Sequence, residues 1–118
     1  MTSLILFRET ISTYQRHGWQ LCDVLLRPET HHALSAEEMT ATFAPAPVRI
    51  TDFDAVWFQR ESGARGRNAY ELRLVAGNPY ALFEIFEPDE AEEDRADVRR
   101  EMEARMSDRA NARHDATT

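Results

Sequence analysis

The sequence predicts an α+β domain built on a four-stranded, mainly antiparallel sheet. The elements run α-β-α-β-β-β-α, with the N- and C-terminal helices packed on one face. Three observations carry this expectation. Leu4, Phe7, Ile11 and Tyr14 recur at three- and four-residue steps, the mark of a helix with one apolar face. After Val48, apolar runs alternate with short Gly-, Pro- and Asn-bearing links, as in hairpins. The stretches beginning at Ser35 and Asp89 both read as capping boxes, each with a Glu three residues on.

The first helix spans Ser3 to His17, capped by Thr2 or Ser3 and closed by Gly18, where a left-handed residue is wanted. Trp19 to Arg27 reads as a strand ended by Pro28, with Gln20, Cys22, Val24 and Leu26 on one face. Trp19, Leu21, Asp23 and Leu25 form the other face. Both are largely apolar, so the strand is expected to be well covered, with Asp23 needing a partner or an edge. Pro28 to Leu34 reads as a connector. Ser35 to Phe43 is a short helix that Pro45 and Pro47 bring to an end.

Three strands then form a meander. The first is Val48 to Arg60, broken near Asp52 to Asp54. The second is Ala69 to Ala76, with Tyr70, Leu72 and Leu74 facing in and Glu71 and Arg73 facing water. The third is Tyr80 to Glu87. The last helix starts at Asp89 with an acidic first turn that suits the positive end of its dipole. Its apolar residues are few (Ala91, Val98, Met102 and Met106), and the tail is expected to fray from Ser107. The 118 residues thus divide into a body, 1–88, and an acidic helix and tail, 89–118, within one domain.

Charge sharpens that division. The net charge is -7, from 21 acids against 14 basic residues, all of them arginine. Residues 1–88 hold 11 acids and 8 arginines; residues 89–118 hold 10 and 6, so the last quarter carries more than half the excess. Such a balance opposes a nucleic-acid binder, which gains affinity by neutralising phosphates, and favours solubility and basic partners. The lack of lysine removes Schiff-base chemistry and a P-loop. One cysteine excludes an internal disulfide framework and a cysteine-rich zinc site. Apolar runs such as Leu4–Phe7 are too short for a membrane span or a signal segment, so the expected location is cytoplasmic.

No catalytic signature emerges. His31 and His32 are adjacent and diverge on any regular backbone, which argues against a shared metal. Cys22 sits beside Asp23, which opposes thiolate formation. Asp52, Asp54, Glu84 and Glu87 have no spacing that fixes them in one cleft. Neither a metal nor another cofactor is expected.

Three readings of function remain. The leading one is a cytosolic interaction module of adaptor, chaperone-like or immunity-like type. It would contact a basic protein partner, or a second copy as a homodimer, through the terminal helix at Val98, Met102 and Met106. The second is an inhibitor that mimics nucleic acid, presenting Asp89, Glu90, Glu92, Glu93 and Asp94 where phosphates would sit. The third is a small-ligand binder or enzyme with a pocket near His31 and His32. A separate anion-binding candidate is the hairpin tip carrying Arg60, Arg65 and Arg67, where Gly63 and Gly66 leave the backbone free to curl around an anion.

Overall fold

The computed structural model describes the backbone of residues 3–63 and 65–116. The elements are α1 (Ser3–Arg16), β1 (Gln20–Leu26), α2 (Pro28–Ala33), α3 (Ala36–Phe43), β2 (Val48–Ile50), β3 (Ala55–Glu61), β4 (Asn68–Leu74), β5 (Tyr80–Phe86) and α4 (Glu92–Ala116). Gly18 ends α1 with φ of 85°, a conformation in which a side chain is strained. At α3 the capping box forms as expected. Ser35 Oγ accepts from the Glu38 amide at 3.0 Å, and Glu38 Oε1 accepts from the Ser35 amide at 2.9 Å.

The sheet has five strands, not the expected four, in the order β2-β1-β3-β4-β5. The break near Asp52 separates two strands that lie on opposite sides of β1. β2 pairs with β1 in parallel and β3 pairs with it antiparallel. Residues 51–54 carry the chain across the end of β1. There the Thr51 amide donates to the Leu26 carbonyl at 2.8 Å, and Asp54 Oδ1 accepts from the Arg27 amide at 2.9 Å. The parallel pair needs a crossover, and α2 with α3 provides it. The expected connector at Pro28–Leu34 therefore contains a helix, in which Thr30 Oγ1 donates to Asp54 Oδ2 at 2.8 Å. β3, β4 and β5 form the expected meander, with no register shift between neighbours.

The terminal helices lie on opposite faces of this sheet, which corrects the one-face expectation. Phe7, Ile11 and Tyr14 of α1 and Phe43 of α3 pack with Val24, Leu26, Val56 and Phe58. Met102 and Met106 of α4 pack with the alternate residues Leu25, Ala55, Trp57, Leu72 and Leu74. Alternate residues of a strand point to opposite faces, so the two clusters are two separate cores. Ala55 to Phe58 is buried at every position, as a strand covered on both sides must be. The face of β4 expected to be wet is half-buried instead, because Glu71 and Arg73 both hydrogen-bond the Tyr14 hydroxyl under α1.

Two expectations about α4 also change. It starts at Glu92 rather than Asp89, after a turn in which Glu90 Oε1 accepts from the Glu87 amide at 3.1 Å. It does not fray at Ser107 but continues to Ala116. Ser107 Oγ donates to Asp52 Oδ2 at 2.6 Å, and Asn111 Nδ2 donates to the same oxygen at 2.9 Å. Among the described residues, no helix is long and apolar enough to cross a membrane.

Because α4 packs on the sheet with few apolar side chains, each should matter. Met106 is 0 % exposed. Met106→Ala is expected to lower stability by about 2–5 kcal/mol, read from urea unfolding at unchanged m-value.

Candidate functional site: an open sheet edge beside an internally paired cleft

A cleft of about 590 Å³ lies between the sheet and α4, and a β-bulge builds its floor. In the β1–β3 ladder Leu21 pairs with Phe58 and Asp23 with Trp57, so Cys22 is the extra residue. The bulge shifts the alternation of β1. Cys22 packs with the α4-side cluster, and Asp23 lines the same cleft instead of joining Leu21 and Trp19 under α1. Trp57, Gln59 and Tyr70 continue the floor, while Arg99, Arg100 and Glu103 descend from α4.

Three charged groups of this cleft, Glu103, Arg49 and Asp23, satisfy one another, while Arg99 and Arg100 pair along α4 with Glu92 and Asp97. Glu103 Oε2 accepts from Trp57 Nε1 at 2.8 Å and from Arg49 Nη2 at 2.7 Å. Arg49 Nη2 also reaches Asp23 Oδ2 at 2.8 Å. Burial, reinforced by the adjacent Asp23 carboxylate, pushes the Cys22 thiol up to about 12, and its Sγ donates to the Trp57 carbonyl. A neutral thiol beside carboxylates committed to one guanidinium is a poor nucleophile with no base to activate it. Among the described residues no group of three or more His, Cys, Asp or Glu side chains could hold a metal ion.

The sequence-predicted residues scatter. Val98, Met102 and Met106 do share one stripe, but it is spent on the domain's own sheet, which leaves Met102 and Met106 buried and without a face for a partner. Asp89, Glu90, Glu92, Glu93 and Asp94 are all exposed, and Glu92 is tied back to Arg99. Of the hairpin arginines, Arg60 donates to the His17 carbonyl and lies over the Trp19 ring, Arg67 pairs with Glu87, and Arg65 is exposed. The two held arginines take partners on different elements, so the three do not converge on one anion. His31 and His32 are exposed on α2, and the larger cleft beside that helix takes Arg27, Pro28 and Glu29 instead. Asp52, Asp54 and Glu87 are each engaged with separate partners, and Glu84, on β5, has no ion pair among the described residues.

An open apolar surface lies on β5, an edge strand. Tyr80, Leu82 and Phe86 face α4, whereas Phe83 and Ile85 are 50 % and 39 % exposed on the other side. Sequence reasoning did not single out this surface. Its signal is in Tyr80–Phe86 itself, where both faces are apolar and Glu84 is the lone charge. An edge position turns the second apolar face toward solvent.

Cys22 in this cleft and Asp52 beside the other one each give a measurable outcome. At pH 8 Cys22 should hold on the order of a thousandfold less thiolate than a free cysteine, so native protein should react far more slowly with a thiol reagent than urea-unfolded protein. Equal rates would contradict its burial. Hydrogen bonds from Ser107, then Asn111, hold the Asp52 carboxyl below its ordinary 3.8. Its stabilising contribution is therefore complete above that value and lost as the pH falls through the lower folded one. Asp52→Asn is expected to be less stable than the unaltered chain at pH 7, with the gap in thermal midpoint closing as the pH drops below about 4.

No protein-family model, no curated protein and no solved structure matches the chain.

Proposed function

We propose that the chain is a non-catalytic protein-interaction module whose contact surface is β5. The exposed row of Phe83 and Ile85 on a regular edge strand carries the reading. An edge strand offers a line of unpaired backbone donors and acceptors to a partner strand, and side chains on its open face add selectivity. The chain's own helices pack on both sheet faces but leave Phe83 and Ile85 of β5 open, and the two carboxylates of the cleft under α4 are paired within the chain. The contact thus shifts from the terminal helix, favoured by the sequence, to the strand just before it.

Affinity capture from the native host tests the proposal. The chain should retain a partner that Phe83→Arg and Ile85→Arg abolish, at unchanged circular dichroism and thermal midpoint. Replacing Glu90 and Glu93 with Gln should leave capture intact. Retention by the β5 variants, or loss by the acidic variant alone, would overturn the assignment.

A further inference from the structure

We infer that the partner strand at β5 is that of a second copy, so that two chains join edge to edge into a continuous ten-stranded sheet. This rests on reading β5 as the contact surface. The asymmetry of the two edges points to it first. β2 is three residues long, carries Arg49 and follows Pro47, all features that blunt an edge. β5 has seven residues in unbroken register with β4, with no proline, no basic residue and no bulge.

The residue pattern of β5 is self-complementary about its midpoint. A two-fold axis perpendicular to the sheet at Phe83 pairs the full strand antiparallel, Tyr80 to Phe86. Phe83 then meets the second copy's Phe83, and Ala81 meets the second copy's Ile85, small against large. On the α4 face Leu82 meets the second copy's Glu84, and Tyr80 meets its Phe86. Slipping by one step in either direction is unfavourable. One slip sets Pro79 opposite Ile85, removing a ladder donor. The other sets Glu84 against Glu84 and Pro88 opposite Tyr80.

Charge fits the same register. Arg109 of α4 lies over the Tyr80 ring at 4.6 Å. Across the dyad the second copy's Glu84 is the diagonal neighbour of Tyr80, a separation of roughly 7–8 Å between strand positions that a long side chain spans. Glu84 has no ion pair within its own chain among the described residues. The pairing therefore gives it a cation, twice over by symmetry.

A single edge falls at the small end of specific interfaces, below about 1,200 Å², so the dimer should dissociate on dilution through the micromolar range. Sedimentation velocity on the full chain over that range is expected to show the mass rise from one copy to two. Phe83→Arg and Ile85→Arg should each raise the dissociation constant at least about tenfold, with circular dichroism unchanged. Glu84→Arg should weaken the dimer, and adding Arg109→Glu to the same chain should recover it. A chain that stays monomeric throughout yet loses a captured partner on Phe83→Arg overturns the dimer and leaves the β5 reading standing. A dimer indifferent to Phe83→Arg and Ile85→Arg overturns the β5 pairing, partner capture equally indifferent to them overturns the β5 reading as well, and a double charge variant no tighter than Glu84→Arg overturns the register.

Discussion

One carboxylate joins the two halves of the α4 side. Glu103 takes a hydrogen bond from the Trp57 indole and one from Arg49, and Arg49 in turn holds Asp23. That chain of contacts ties α4 to β3, to the edge strand β2 and to the bulge of β1. Isolated surface ion pairs contribute little, but here the groups are partly buried and share donors, so each fixes the position of the next. Removing Glu103 would strand a buried indole N–H and a guanidinium that has given up part of its hydration. The methionines supply area, whereas Glu103 supplies the register in which they land.

The composition of α4 then makes physical sense. A 25-residue helix with so few apolar residues should pack poorly, yet it closes a sheet face. Arg95 lies over Phe86, Arg99 over Tyr70 and Arg109 over Tyr80. Residues 95, 99, 102, 106 and 109 follow alternating steps of four and three, the spacing of a single helix seam. Arginine therefore occupies positions where an ordinary packed helix would carry leucine. A planar, weakly hydrated guanidinium lies flat on an aromatic ring, which the compact ammonium of lysine does less well. Arg60 on Trp19 and Arg73 on Tyr14 repeat the device on the other face. A chain whose cations are all arginine is suited to covering aromatic strands in this way.

This also shows what the sequence could and could not reveal. The three-strand meander, the capped α3 and the break near Asp52 were legible, because periodicity, capping residues and turn residues are local signals. The fifth strand was not, since only the tertiary path across β1 turns that break into two strands on opposite sides. The bulge at Cys22 was equally hidden. One extra residue puts Cys22 on the same side as Asp23 and Leu25, and no residue in Gln20–Leu26 announces it. The two-sided cover was readable in principle from Ala55–Phe58, an uninterrupted apolar run that only a doubly covered strand tolerates. The stripe of Val98, Met102 and Met106 was found correctly, but whether it faces inward or outward depends on the arginines that complete it.

With helices packed on both faces, the edges hold the sheet's unpaired backbone groups, and they are not equivalent. An edge strand left long, regular and apolar is an aggregation hazard that folded proteins normally blunt with charge, proline or a bulge. β2 shows such devices, while β5 shows prolines only outside its two ends. Pro79 and Pro88 limit pairing to the seven residues between them, which confines an incoming strand to one register rather than preventing its approach. A strand that is bounded but not blocked is what a specific edge contact requires.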